Sequence, residues 1–134
     1  MSDSEIISEL IRNKVIYLQA KKNGLLYDYN EAYKKAKADI DFLKKEATSE
    51  NASDNIKQNY NIMQAYLEEM GWTEDQYIEK GAEAYQIELT KNNLLIEFKK
   101  TQPENIDKDT LDKLYNEYVD ILVKGSDVKI FINE

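Results

Sequence analysis

The side chains able to do chemistry in this chain are carboxylates, phenols and thioethers. Aspartate and glutamate together number 26 and tyrosine ten, while histidine and cysteine are absent. The usual general base, the thiol nucleophile and the preferred zinc ligands are therefore missing, and no disulfide or thiol redox chemistry is open. Carboxylate pairs such as Glu68 with Glu69, or Glu83 with Glu88, are of the kind that does acid–base work, but both fall in helical patterns as solvated faces. Asp39 with Asp41, and Asp107 with Asp109, offer oxygen ligands to calcium. Neither pair has the glycine and the bidentate glutamate at the spacing of a helix–loop–helix calcium site. The serines sit at expected caps, loops or a helix surface without a Gly-x-Ser-x-Gly elbow, and the four glycines are isolated, so no loop cradles a phosphate. The expectation is a protein that is not an enzyme and needs no cofactor or metal.

What the residue types do favour is contact. Ten tyrosines, three methionines and one tryptophan are many for 134 residues. Tyrosine offers a large apolar body with a polar tip at low entropy cost, and methionine adapts to irregular partners. Met63, Tyr66, Met70, Trp72 and Tyr77 concentrate in one short stretch, more than one core layer needs. They are the candidate peptide-binding residues; the plainer alternative is that they are core. Trp72 itself is expected to be mainly structural, packing a corner between helices.

The elements that must position these residues are helices. Met70-Gly71 ends one helical pattern, Trp72 follows at once, and Thr73 with Gln76 reads as a capping box that opens the next. From Glu74 the pattern runs without proline to about Lys100, and Thr101-Gln102-Pro103 stops it. Tyr77, Ile78, Ala82, Tyr85, Leu89, Leu95 and Ile96 form its stripe, widened by Ile87, Leu94 and Phe98, so this central helix needs neighbours on more than one side. Ahead of it, Ser2 or Ser4 caps a first helix with Ile7, Leu10, Ile11, Val15 and Leu18 as the buried stripe, closed by Gly24. Asp28 with Glu31 reads as a capping box for a second helix, about 29–47, burying Ala32, Tyr33, Ala36, Ile40 and Leu43. Ser53 or Asp54 caps a third, about 55–70, with Ile56, Tyr60, Met63, Leu67 and Met70. Asp107 or Asp109 caps a last helix, about 108–124, with Leu111, Leu114, Tyr115, Tyr118 and Leu122. Val128, Ile130 and Ile132 then alternate with period two, a strand signal. The fold class is all-α: one domain over 1–134, about five helices around a long central helix at about 74–100, with a short C-terminal β-strand at about 127–132.

Charge narrows the partners. The net charge is −8, with residues 1–48 at +1 and residues 49–134 at −9. A general nucleic-acid binder needs a basic face, so nucleic acid is not expected; an acidic rim steers basic polypeptides at low salt. Lys34, Lys35, Lys37, Lys44 and Lys45 suggest a membrane-surface helix, but Asp39, Asp41 and Glu46 interrupt the basic face. No apolar run approaches the ~20 residues of a membrane span, and residues 1–20 lack a signal-peptide pattern.

Three stretches carry a family resemblance. Leu10-Ile11-Arg12-Asn13-Lys14-Val15 through Ala20-Lys21-Lys22-Asn23-Gly24-Leu25 is similar to a helix of the N-terminal, non-isomerase domain of SurA- and PrsA-type extracytoplasmic foldases. Met70-Gly71-Trp72-Thr73-Glu74-Asp75-Gln76-Tyr77 resembles the entry into that domain's long helix, and Tyr115 to Ile132 resembles its closing helix and extended tail. The resemblance implies a chaperone-like domain that binds unfolded or extended polypeptides. It also implies an extracytoplasmic place, secreted or anchored through a segment not present in this chain. The family's export signal or lipoprotein anchor, its short Val-Asn-Gly strand and a further helix are not visible. The gap from Lys99 to Ile106 leaves no room for an isomerase domain, so isomerase activity is not implied. In the family the tail pairs with the missing N-terminal strand; here the expected alternatives are a homodimer through the C-terminal strand, a tail laid on the helices, or a disordered tail.

Overall fold

The computed structural model describes residues 2–128. Five helices follow in order: α1 (Asp3–Lys22), α2 (Tyr29–Ala47), α3 (Asp54–Met70), α4 (Glu74–Lys100) and α5 (Lys108–Lys124). Among the described residues there is no strand, and the expected strand lies, from Lys129 on, outside them.

Local chemistry sets the helix ends. Ser2 and Glu5 form a reciprocal capping box, with Ser2 N–H donating to Glu5 Oε2 at 2.9 Å and Glu5 N–H to Ser2 Oγ at 3.3 Å. Thr73 and Gln76 do the same for α4, at 2.8 and 3.1 Å. The box expected at α2 forms by half. Asp28 accepts from Glu31 N–H at 3.0 Å, but the Glu31 carboxylate turns to Lys34 Nζ at 3.1 Å instead of back to the cap. Ser53 caps α3 through Ile56 N–H, and Asp107 caps α5 through Thr110 N–H. Gly71 ends α3 at φ 68°, in the left-handed region, and Trp72 N–H returns to Leu67 carbonyl at 3.0 Å. That pairing satisfies a carbonyl the helix would leave orphaned.

The chain divides into two compact units, one of residues 1–26 with 87–134 and one of residues 27–86. The second contains α2, α3 and the first half of α4. Its core is Ala32, Ala36, Ile40, Met63, Ile78 and Ala82. Here α2 and α4 run antiparallel: Lys44 pairs with Glu74 at 3.0 Å, Gly81 lies against Ala36, and Gln86 Nε2 donates to Tyr27 carbonyl at 2.9 Å. A Cβ built at Gly81 would meet the Ala36 Cβ at 3.3 Å, closer than ordinary van der Waals contact, so the two helices approach closely here.

The first unit packs α1, the second half of α4 and α5 around Ile16, Ala20, Leu94 and Val119. Phe98 stacks on Tyr118 with centroids 5.2 Å apart. Arg12 reaches Asp120 Oδ1 at 2.6 Å and Asn116 Oδ1 at 2.9 Å. Asn93 Nδ2 holds the Leu25 carbonyl at 3.0 Å, tying the end of α1 to α4. The buried face of α1 is Val15, Ile16 and Ala20, whereas Leu10 and Leu18, expected in its stripe, are 48% and 41% exposed.

Two outcomes test this account of the helix ends. Replacing Gly71 by Ala meets no neighbouring atom, so its cost is the left-handed backbone alone, about 1–2 kcal/mol in urea unfolding. The backbone and hydroxyl of Thr110 hold the Asp107 carboxyl below its ordinary value. A group depressed in the folded state adds stability above its unfolded value and loses it as pH falls through the folded one. Asp107→Asn, which keeps an acceptor but cannot ionise, should therefore flatten the acid limb of the melting-temperature profile followed by circular dichroism.

Candidate functional site

Tight packing of small residues along the α2–α4 seam leaves no room there for rings, and the rings line its flank. The result is a cleft of about 410 Å³ in the 27–86 unit, walled by Tyr66, Trp72, Tyr77 and Tyr85, with Asp39 at its margin. A second hollow, about 380 Å³, adjoins it, lined by Leu43, Ile62 and Met63. The two share Ile40, Tyr66 and Tyr77 as a common wall.

The rings are held at steep angles. Tyr66 meets Trp72 with centroids 5.7 Å apart and planes at 83°, and meets Tyr77 at 6.1 Å and 64°. Edge-to-face contacts of this kind add about 0.5–1.5 kcal/mol beyond the area they bury. They also brace the rings against one another, so the cleft wall is fixed without being buried. Tyr66 keeps 42% of its surface exposed.

The cleft carries one carboxylate. The Tyr85 hydroxyl donates to Asp39 Oδ2, and Asp39 Oδ1 accepts from no other described residue. This hydrogen bond, with burial and the Asp39 charge added, raises the Tyr85 phenol above its ordinary value. Lys80, also on the lining, leans to Glu83 at 3.6 Å, three residues along its own helix.

Of the five candidate residues, the structure brings Tyr66, Trp72 and Tyr77 together on the cleft wall. Met63 is 5% exposed; it belongs to the core and forms part of the lining of the second hollow. Met70 is 46% exposed and lines neither space. Trp72 packs the turn, as expected, and also walls the cleft. Sequence reasoning missed Asp39 and Tyr85 as site residues, although Asp39 lies three residues past Ala36 and four before Leu43, on the edge of the buried stripe of α2. Asp39 and Asp41 go separate ways, Asp41 pairing with Lys37 at 3.0 Å, and no group of three or more metal-binding side chains occurs among the described residues. Glu83 and Glu88 each pair with a lysine on α4, Lys80 and Lys91.

In comparisons with known proteins, no family model, no curated protein and no solved structure matches the chain.

Burial separates the two kinds of site residue. Met63→Ala should cost about 2–5 kcal/mol in chemical unfolding, as for buried large-to-small changes. Tyr66→Ala, which truncates a half-exposed ring, should cost roughly 1–2 kcal/mol. Ultraviolet titration should show one phenol moving down toward the ordinary tyrosine value in Asp39→Ala.

Proposed function

We propose that this chain binds unfolded or extended segments of other polypeptides in a chaperone-like way, as a helical, non-catalytic domain of an exported bacterial protein of the SurA/PrsA kind. The observation that carries the reading is the pair of adjoining hollows with a shared wall of Tyr66, Tyr77 and Ile40. An extended chain sends alternate side chains to the same side, and neighbouring hollows suit two such side chains in succession. Braced tyrosines and a tryptophan give sequence-tolerant contact at low entropy cost. The family and the extracytoplasmic place rest on the resemblance of residues 10–25, 70–77 and 115–132. The net charge of −8 speaks against nucleic acid as the partner. No helix among the described residues is long and apolar enough to cross a membrane.

A second reading has an observation of its own. In the other unit, Leu18 and Ile121, 41% and 70% exposed, line a hollow of about 320 Å³ with Val15, Leu122 and Val128. A module that self-associates or docks one fixed partner would use such a face.

A peptide array discriminates the two. Binding of many unrelated aromatic-rich peptides, with dissociation constants on the order of micromolar, and its loss in Tyr66→Ala and Tyr77→Ala supports the first reading. A silent array combined with a mass that rises with concentration, and falls back to a monomer when residues 127–134 are deleted, supports the second.

A further inference from the structure

The cleft and the hollow beside it differ in chemistry. The hollow adds three apolar side chains, Leu43, Ile62 and Met63, and the uncharged amide of Asn59 to the shared wall. The cleft adds Trp72, Tyr85 and the Asp39 carboxylate. Aromatic rings beside a single carboxylate attract a cation twice over: the ring quadrupoles favour positive charge over their faces, and the carboxylate supplies a charge-assisted acceptor. A long basic side chain satisfies both, since its methylenes cover apolar surface while its head stays polar.

The carboxylate is positioned for this. Oδ2 accepts from the Tyr85 hydroxyl, Asp39 lies on the cleft lining, and Oδ1 accepts from no other described residue. The other charged group on the lining, Lys80, is drawn to Glu83. The surrounding field has the same sign: residues 27–86 carry 13 acidic and 7 basic side chains, a net −6.

We infer that the aromatic cleft of α2, α3 and α4 takes a lysine or arginine side chain of an extended polypeptide, with Asp39 and the rings of Tyr66, Trp72 and Tyr77 selecting the cation and the neighbouring hollow holding an aliphatic side chain of the same segment. The inference rests on the proposed polypeptide binding and makes it selective: the preferred segment is basic and apolar, and acidic segments are refused. Asp39 is a specificity-determining residue, because the apolar contacts survive without its charge.

The test uses the full chain and the fluorescence of Trp72, its single tryptophan, on the cleft wall. Capped nine-residue peptides of serine and leucine carry lysine, norleucine or glutamate at the central position. The lysine peptide is expected to bind about tenfold tighter than the norleucine peptide, the advantage shrinking as salt is raised, and the glutamate peptide weakest. In Asp39→Asn, which leaves an oxygen for Tyr85, most of the lysine advantage should disappear while norleucine binding stays the same. Equal binding of the lysine and norleucine peptides to the unaltered protein overturns the inference and leaves polypeptide binding standing. A lysine advantage that persists undiminished in Asp39→Asn overturns the role of Asp39. Absence of binding by any of the peptides overturns both the inference and the reading beneath it.

Discussion

The close approach of α2 and α4 at Ala36 and Gly81 is the constraint on which the 27–86 unit depends. Ala32 and Ala82 are fully buried beside that contact, and Ala36 nearly so. Helices that meet through methyl groups and a glycine lie near the lower limit of interaxial distance, so no bulky side chain enters the seam. Ile40, Met63 and Ile78 fill the space to one side of it as core. Tyr66, Tyr77 and Tyr85 have nowhere to go but the flank, where they become walls. A pair at each end fixes the register: Lys44 with Glu74, and Gln86 with the Tyr27 carbonyl. The first of these is half-exposed, and ion pairs of that kind contribute little stability; its effect is on alignment.

The other unit is built on a different principle. Its fully buried residues include Leu94, Val119 and Thr90, and its contacts are broad aliphatic and aromatic ones, with Phe98 stacked on Tyr118 and close to Tyr115. Burial raises the Tyr115 phenol, the neighbouring Tyr118 adds to the shift, and Arg12 works against it. Arg12 joins α1 to α5 through a side chain that meets two different partners, a geometry suited to its planar fork.

How much of this was legible follows from the range of each interaction. The helix ends were readable because a cap is decided within four residues: Thr73 with Gln76 stood alone, and Ser2 and Asp107 were each one of two candidates that the structure decides between. Even the failure at Asp28 is local, since Lys34 outbids the cap for the Glu31 carboxylate. The stripe of α2 was readable because its period is strict. The stripe of α1 was not, because its first turns carry apolar residues all round, and only the partners decide that Val15, Ile16 and Ala20 go inside while Leu10 and Leu18 stay out. Tyr66, Trp72 and Tyr77 were found by density along the chain, but density could not separate Met63 from Met70, one helical heptad apart on the same stripe and opposite in burial. Asp39 was beyond reach because its partner Tyr85 lies 46 residues away. The expected C-terminal strand falls largely outside the described residues.

Gly71 and Gly81, ten positions apart on either side of the cleft wall, are restricted for opposite reasons. At Gly71 there is open space and a positive φ, so the barrier is handedness. At Gly81 the backbone is ordinary helix and the Ala36 methyl is in the way, so the barrier is volume. As the gene drifts, these positions should follow different rules. Asparagine, which visits the left-handed basin readily, is an acceptable successor at 71 and a poor one at 81. A larger residue at 81 asks the Ala36 methyl to give by a few tenths of an ångström, and glycine at position 36 removes that demand. The two sites would leave distinct marks in any set of related sequences, one a lone choice among residues that bend to the left, the other a pair that changes together.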